Sequence, residues 1–183
     1  MKIFIETERL ILREIVPQDE NNIFNLDSDP EVHRYLGNKL VSSIEQCRDV
    51  ILFIRQQYID NNIGRWAVIE KETGSFIGWS GLKLVKTMVN NQTNYYDLGY
   101  RFIKRFWGKG YATETAKASL EYGFNILKLN EIYGMADCQN IASNSVLKKV
   151  GMNFIEIFEY EGAPHTCYKL TNDEWFGIKS LGS

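Results

Sequence analysis

Apolar side chains follow a helical spacing through one long segment of the N-terminal third of the chain. Ser43 and Gln46 form the pattern of a capping box. Apolar and thiol side chains then recur at intervals of three and four residues, at Ile44, Cys47, Ile51, Ile54 and Tyr58. This pattern predicts one amphipathic helix of about 17 residues. Two shorter helices are predicted before it, one beginning at Pro17 and one at Pro30, where Asp29 suits the N-cap position.

The apolar period changes from helical to alternating after that helix, and alternation predicts strands. The predicted strands span residues 8–14, 65–70, 76–85, 95–103, 131–138, 152–160 and 165–171, and two later helices span 112–127 and 142–150. The order β-α-α-α-β-β-β-α-β-α-β-β predicts an α/β (α+β) fold with one mixed sheet of about seven strands and helices on both faces. We expect residues 1–183 to form a single domain.

Composition places the chain among ordinary globular proteins. Its 183 residues are 44% hydrophobic and 24% charged, and its formal net charge is −2. The three cysteines, Cys47, Cys138 and Cys167, are scattered and odd in number, as in reduced cytosolic proteins. The longest apolar run, at 50–54, is too short to cross a membrane, and a slightly acidic chain disfavours nucleic acid as a partner. We therefore predict a cytoplasmic protein that binds neither membranes nor nucleic acids.

One turn between a predicted strand and a predicted helix reverses the sign of this charge. It reads Arg105-x-x-Gly108-x-Gly110-x-Ala112, with Lys109 inside it. Two glycines leave backbone N–H groups open to a ligand, and the start of a helix attracts anions. The pattern lacks both the third glycine of a dinucleotide fingerprint and the G-K-[ST] of an NTPase loop. It therefore predicts a different phosphate or pyrophosphate site, with a solvated basic turn as the alternative.

The same turn resembles the R/Q-x-x-G-x-G/A motif of the GNAT superfamily of N-acetyltransferases, and three other segments add to the resemblance. Residues 7–36 resemble the first strand and helices of the branch that acetylates the N-termini of ribosomal proteins. Residues 97–114, DLGYRFIKRFWGKGYATE, and residues 140–151, NIASNSVLKKVG, resemble two further motifs of that branch. The resemblance implies a GNAT fold, with the sheet splayed between the strands at 95–103 and 131–138. It also implies acetyl-coenzyme A as cosubstrate.

The resemblance further implies which residues hold the cosubstrate. The pyrophosphate would lie on the turn, while the pantetheine arm would pair with the end of the preceding strand and with an asparagine amide. The implied cofactor-binding residues are Phe102, Ile103, Arg105, Gly108, Lys109, Gly110, Tyr111, Ala112, Thr113 and Asn140. Asn140 could equally be an ordinary turn asparagine. A metal is not expected, because His33 and His165 have no partners at ligand spacing.

The implied reaction is direct attack of a neutral amine on the thioester, which forms a tetrahedral oxyanion. Backbone N–H groups around Tyr100 would stabilise that oxyanion. Asp97 occupies the family's acidic position and would orient the amine or pass its proton to water, but it could also be a surface strand residue. Ser143 would protonate the leaving thiolate, or would simply cap a helix that starts at Asn144. Tyr100 and Tyr168 are other phenols within possible reach.

The acceptor is expected to be an α-amine, for an energetic reason. At pH 7 an α-amine costs only about 1–1.4 kcal/mol to deprotonate, whereas a lysine-like amine costs roughly 4.6 kcal/mol. A weak carboxylate base therefore suits a protein or peptide N-terminus best. Polyamines, amino-acid-like metabolites and aminoglycosides remain alternatives, as does an acyl-coenzyme A binding module without catalysis. The sequence leaves open whether the protein is a monomer or a homodimer.

Overall fold

The computed structural model describes residues 1–181, and their side chains as far as residue 177. Eight strands form one mixed sheet in the order β1-β2-β3-β4-β5-β6-β8-β7. The pairs from β1 to β5 are antiparallel, β5 and β6 are parallel, and β6, β8 and β7 are again antiparallel. The strands are β1 (Ile3–Glu6), β2 (Leu10–Glu14), β3 (Trp66–Glu70), β4 (Phe76–Val85), β5 (Tyr95–Phe102), β6 (Glu131–Asp137), β7 (Asn153–Tyr160) and β8 (Ala163–Thr171).

Helices cover both faces of this sheet, as the sequence predicts. The helices are α1 (Glu20–Asp27), α2 (Pro30–His33), α3 (Ile44–Asn61), α4 (Tyr111–Asn125), α5 (Ile141–Lys149) and α6 (Asn172–Leu181). The apolar side chains of α1 and α3 pack on Ala67 and Phe76. Those of α4 pack on Val68 and Ile77, the next residues along β3 and β4, which therefore point to the opposite face. Within residues 1–181, no helix is long and apolar enough to cross a membrane.

Two elements extend the predicted set. The sheet has eight strands rather than about seven, because Ile3–Glu6 pairs with β2 as a short edge strand. Its four residues carry too few alternating positions to be recognised as a strand. The chain also continues after β8 into α6, which has Asp173 and Glu174 in its first turn.

Local signals at the helix starts are largely confirmed. Asp29 caps α2 by accepting a hydrogen bond from the backbone N–H of Glu31. The Oγ of Ser43 accepts from Gln46 N–H at 3.4 Å. The second hydrogen bond of the predicted capping box is displaced by one residue, since Gln46 Oε1 accepts from the backbone N–H of Ser42 at 2.7 Å rather than from that of Ser43.

The predicted splay lies in the middle of the sheet. Strands β5 and β6 run parallel, but only Asp97–Tyr133 and Leu98–Gly134 are paired. Beyond Leu98, β5 continues to Phe102 with no partner in β6. The two strands thus open a cleft whose vertex is the Leu98–Gly134 pair. The turn after β5 leads from the mouth of this cleft into α4.

Candidate active site

The glycine turn ends in an open helix N-terminus. Gly108 and Gly110 have φ angles of +74° and +83°, a left-handed conformation that disfavours side chains with a Cβ. Gly110 is the N-cap of α4 and supplies no side chain to the first turn. A Cβ on Gly108 would meet nothing within 4 Å, and one on Gly110 would meet only the end of Arg9 at 3.5 Å. The first N–H groups of α4, at Tyr111, Ala112 and Thr113, have no partner within the helix, and no N-cap side chain accepts from them.

Basic side chains surround this N-terminus. The charges of Arg105 and Lys109 lie 4.9 and 5.0 Å from the ring centre of Phe106, so both gather at the turn. A backbone N–H cluster, a helix dipole and two cations at one turn suit a pyrophosphate. A ligand can approach Gly108 without meeting another residue, and near Gly110 it meets only the end of Arg9, so the residues present fit the expected cosubstrate.

One further cation at the turn has no counterpart in the sequence motif. Arg9 precedes β2, and its Nη1 donates to the carbonyl of Lys109 at 3.0 Å. Its Nη2 lies 2.6 Å from Glu114 in the first turn of α4, and its guanidinium stacks 4.5 Å from the ring centre of Tyr111. Because Arg9 lies about a hundred residues away along the chain, only tertiary structure brings it here.

The backbone of β5 beyond the vertex is partly committed to other contacts. The N–H of Ile103 donates to Ile77 in β4 at 3.0 Å, and the carbonyl of Phe102 accepts from the indole of Trp107 at 2.7 Å. Backbone groups alternate sides along a strand. The N–H groups of Tyr100 and Phe102 are therefore directed toward the cleft, where pantetheine or an oxyanion would lie.

Asn140 and Ser143 lie at the start of α5, beside the same cleft. Asn140 is the N-cap, and its Oδ1 accepts from the N–H of Ser143 at 3.1 Å. The proposed capping role of Ser143 is therefore wrong, because α5 begins two residues before it and Ser143 lies inside the first turn. The Oγ of Ser143 is 3.1 Å from the hydroxyl of Tyr100, which also donates to the Ser143 carbonyl at 3.1 Å. Burial raises the pKa of Tyr100, so this phenol stays protonated.

Asp97 lies at the vertex of the cleft and is buried, with 7% of its surface exposed, so it is not a surface residue. Its Oδ2 forms an ion pair with Nη2 of Arg65, and its backbone carbonyl accepts from Arg65 Nη1 at 2.6 Å. Gly99 makes room for this guanidinium, since a Cβ there would lie 2.5 Å from it. The other oxygen, Oδ1, is buried and has no hydrogen-bond partner among the described residues.

Aromatic and thiol side chains surround that carboxylate. Burial raises the pKa of Tyr95, Tyr160 and Cys167, and the charge of Asp97 raises each further. The three residues come from β5, β7 and β8, so this acceptor cluster around Asp97 is assembled from distant parts of the sequence. Aromatic rings and a carboxylate are groups that attract an ammonium ion.

A second buried ionic group lies on the same face of the sheet, farther along β5. Nη1 of Arg101 lies 2.6 Å from Asp27 of α1 and 3.2 Å from Nε2 of His33 in α2. Arg101 can only donate, so Nε2 of His33 accepts at this contact, and the same nitrogen lies 3.5 Å from Oδ1 of Asp27. Burial and the charge of Arg101 lower the pKa of His33 accordingly. Arg101 also packs over the ring of Trp79, with its guanidinium 5.0 Å from the ring centre.

Metal ligands are not clustered in the part of the chain that the structure describes. No three histidine, cysteine, aspartate or glutamate side chains there are grouped to hold an ion.

Comparison with known proteins agrees with this architecture. Residues 9–153 match the family described as an acetyltransferase (GNAT) domain. The uncharacterized N-acetyltransferase YoaA of Bacillus subtilis is 34% identical over 147 residues, which are 80% of this chain and 81% of that protein. The FsC-acetyl coenzyme A-N(2)-transacetylase of Aspergillus fumigatus is 28% identical, covering 96% of this chain and 79% of that protein.

A solved structure shows the same fold. RimL, a ribosomal-protein α-N-acetyltransferase crystallised in complex with coenzyme A, superimposes with a TM-score of 0.77. The match covers 94% of this chain and 99% of that one at 14% sequence identity, so it concerns the fold alone. Family match, relatives and sheet topology agree: this chain belongs to the GNAT family of acetyltransferases, which use acetyl-coenzyme A.

Proposed function

We propose that this chain transfers the acetyl group of acetyl-coenzyme A to the α-amine of a protein or peptide N-terminus by direct attack. One observation carries the proposal. The cleft vertex brings the donor groups of β5 and α5 to one side of the sheet and the free Oδ1 of Asp97 to the other. A thioester bound between the strands would thus meet an amine held by the carboxylate. Residues 1–183 would work as one domain.

The cosubstrate would lie along the turn and the cleft. Its pyrophosphate would accept from the backbone N–H groups of Gly110, Tyr111, Ala112 and Thr113, with Arg105 and Lys109 balancing the charge. Gly108 would let it approach closely, as the open space above that residue permits. Its pantetheine arm would follow β5 past Ile103 and Phe102. The amide nitrogen of Asn140 is free to donate to it, because only Oδ1 is used by the helix cap.

The charges around the acceptor cluster favour a singly charged amine. Arg65 and Arg101 both face it, and each has a carboxylate partner in place. A polyamine or an aminoglycoside would bring several further positive charges against these guanidinium groups. An α-amine brings one, and it loses that charge readily near neutral pH.

Ser143 is proposed to protonate the thiolate that leaves. Its Oγ lies 3.1 Å from the protonated Tyr100 hydroxyl, so the pair can pass a proton toward the cleft. The backbone N–H groups of Tyr100 and Phe102 would stabilise the oxyanion. The three cysteines are free thiols, and their reduced state supports the proposed cytoplasmic location.

Two measurements on one sample test the proposal. Titration calorimetry with acetyl-coenzyme A reports binding, and release of free thiol after addition of an acceptor reports transfer. The acceptor panel comprises peptides with a free N-terminus, the same peptides with an acetylated N-terminus, spermidine and an aminoglycoside. We expect thiol release only with the free peptides. Binding without release for any acceptor would instead identify a non-catalytic binding module, and release with spermidine alone would exclude the α-amine.

A further inference from the structure

A lysine lies beside Asp97 at the vertex, on the neighbouring strand. Lys83 of β4 is the direct register partner of Asp97 in the antiparallel β4–β5 pair. Side chains of paired residues leave the same face of a sheet, with Cβ atoms about 4.5–5.5 Å apart. Lys83 therefore belongs to the acceptor side of the cleft, one residue along from the Leu98–Gly134 pair where β5 and β6 separate.

A positive charge on the side chain of Lys83 has no close carboxylate partner. Lys83 is half-buried, and no ion pair within 4.0 Å involves it among the described residues. Asp97 pairs with Arg65 through Oδ2, Asp27 pairs with Arg101, and no carboxylate among the described residues lies within 4.0 Å of the lysine nitrogen. The stem of four carbons lets its nitrogen reach across the spacing of about 4.8 Å between neighbouring strands.

The surroundings of Lys83 favour its neutral form over its charged form. Burial lowers the pKa of Lys83, the positive charges of Arg65 and Arg101 lower it further, and Asp97 alone opposes them. On the other side of Asp97 lie Tyr95 and Tyr160, which stay protonated and uncharged. The lowered pKa raises the share of Lys83 that is neutral at a given pH, and a neutral lysine nitrogen is an effective proton acceptor.

We infer that Lys83 is the general base of the transfer, with Asp97 holding the acceptor ammonium beside it. This inference rests on the proposed function and assigns to Lys83 the proton that the sequence motif would assign to Asp97. A carboxylate is in general a weaker base than a lysine amine.

The proton balance is complete without another reactant. The acceptor arrives as an ammonium ion and gives one proton to the Nζ of Lys83, which becomes charged. The free amine then forms the C–N bond of the amide while the thioester C–S bond breaks. Ser143 gives its hydroxyl proton to the sulfur, which leaves as the thiol of coenzyme A, and the second amine proton then replaces it on Ser143. Lys83 returns its proton to solvent.

The test uses the full chain and a short peptide with a free N-terminal α-amine. Lys83→Met removes the base, Lys83→Arg keeps a permanent charge, and Lys86→Met is the matched control at an exposed lysine just beyond the same strand. We expect kcat/KM to fall about 10²-fold or more in both Lys83 variants and to stay unchanged in the control. Affinity for acetyl-coenzyme A, measured by calorimetry, should stay within about twofold of the parent because Lys83 is remote from the turn.

Two further readouts separate a base from a packing residue. The parent should gain activity with rising pH as Lys83 loses its proton, and Lys83→Arg should lack that limb of the profile. Trimethylamine, which accepts a proton but forms no stable amide, should restore part of the rate of Lys83→Ala.

Other results would overturn the inference. Unchanged kcat/KM and an unchanged pH profile in Lys83→Met would show that the proton leaves by another route. Equal losses of cosubstrate affinity and rate, without rescue by trimethylamine, would show a structural residue. A parent protein that binds acetyl-coenzyme A but acetylates no peptide would refute the proposed function itself, and the inference with it.

Discussion

The two sides of the cleft are built in opposite ways. The cosubstrate side is an exposed turn, and its predicted residues from Phe102 to Thr113 are almost continuous in the sequence. The acceptor side is a buried ionic layer assembled from Asp27, Arg65, Asp97 and Arg101, which lie far apart along the chain. The cosubstrate would thus be held by local backbone geometry, whereas the acceptor would meet side chains that the whole fold positions. Changes on the acceptor side should cost stability, and changes on the cosubstrate side should mainly cost binding.

The sharpest contrast is expected from Arg65→Met. It leaves the buried carboxylate of Asp97 without its partner, and breaking a buried pair in this way costs about 3–5 kcal/mol of unfolding free energy. Urea denaturation would measure it. Arg9→Met, which breaks the pair with Glu114 at the exposed turn, should cost no more than about 1 kcal/mol.

A double change checks the physical reason for that loss. Arg65→Met combined with Asp97→Asn leaves no unpaired charge and should recover part of the stability. If Arg65→Met unfolds no more easily than Arg9→Met, the acceptor side is not the rigid half of the cleft.

The same contrast explains what the sequence could predict. Periodicity predicted α3, α4 and seven of the eight strands, because each depends on its own residues, but it did not predict α6. The turn was predictable for the same reason, since its glycines and cations are neighbours. Arg65, Arg101 and Lys83 carried no signal, because their roles depend on register between strands and on α1, which only the folded chain defines. The sequence identified Asp97 as a candidate site residue, but it predicted neither the burial of Asp97 nor its ion pair with Arg65.

On the cosubstrate side, Gly110→Val should weaken binding of acetyl-coenzyme A at least about tenfold. Its branched Cβ would stand where the pyrophosphate approaches, at a φ of +83° that also strains the backbone. Gly74→Val is the matched control, because Gly74 has a φ of +67° and open space around it but lies between β3 and β4, outside the cleft. Both variants should lose similar stability in urea. Equal affinity of the two for acetyl-coenzyme A would remove the turn from the binding site.

Charge at the turn can be changed without backbone strain. Arg105→Glu should weaken acetyl-coenzyme A binding about 10–100-fold, and the loss should shrink at high salt because exposed charges are screened. Lys128→Glu changes the net charge equally at an exposed site beyond the far end of α4. Calorimetry at two salt concentrations would compare them. A similar loss in Lys128→Glu would point to overall charge rather than to the turn.

Between the two sides, Ser143→Ala should lower kcat about 10²-fold while sparing both cosubstrate affinity and stability. The cap of α5 belongs to Asn140, so Asn140→Ala, not Ser143→Ala, should lose about 1 kcal/mol in urea denaturation. Tyr100→Phe removes the phenol that contacts Ser143 and should give a smaller loss of rate. A parent-like kcat in Ser143→Ala would exclude the serine as the acid.

The smallest expected effect is a pH dependence of stability that belongs to the acceptor side alone. Burial lowers the pKa of His33 in the folded state, whereas the unfolded chain keeps the ordinary value of about 6.5. Below that pH the unfolded state binds more protons at this residue, so stability falls as the pH drops and is fully present above it. His33→Gln keeps a neutral acceptor for Arg101 and should flatten the profile between about pH 5 and 7. His165→Gln, the same change at the other histidine, should keep it. Urea midpoints measured across this range would decide, and equal slopes for the parent and His33→Gln would mean that the buried ionic layer tolerates a charged histidine.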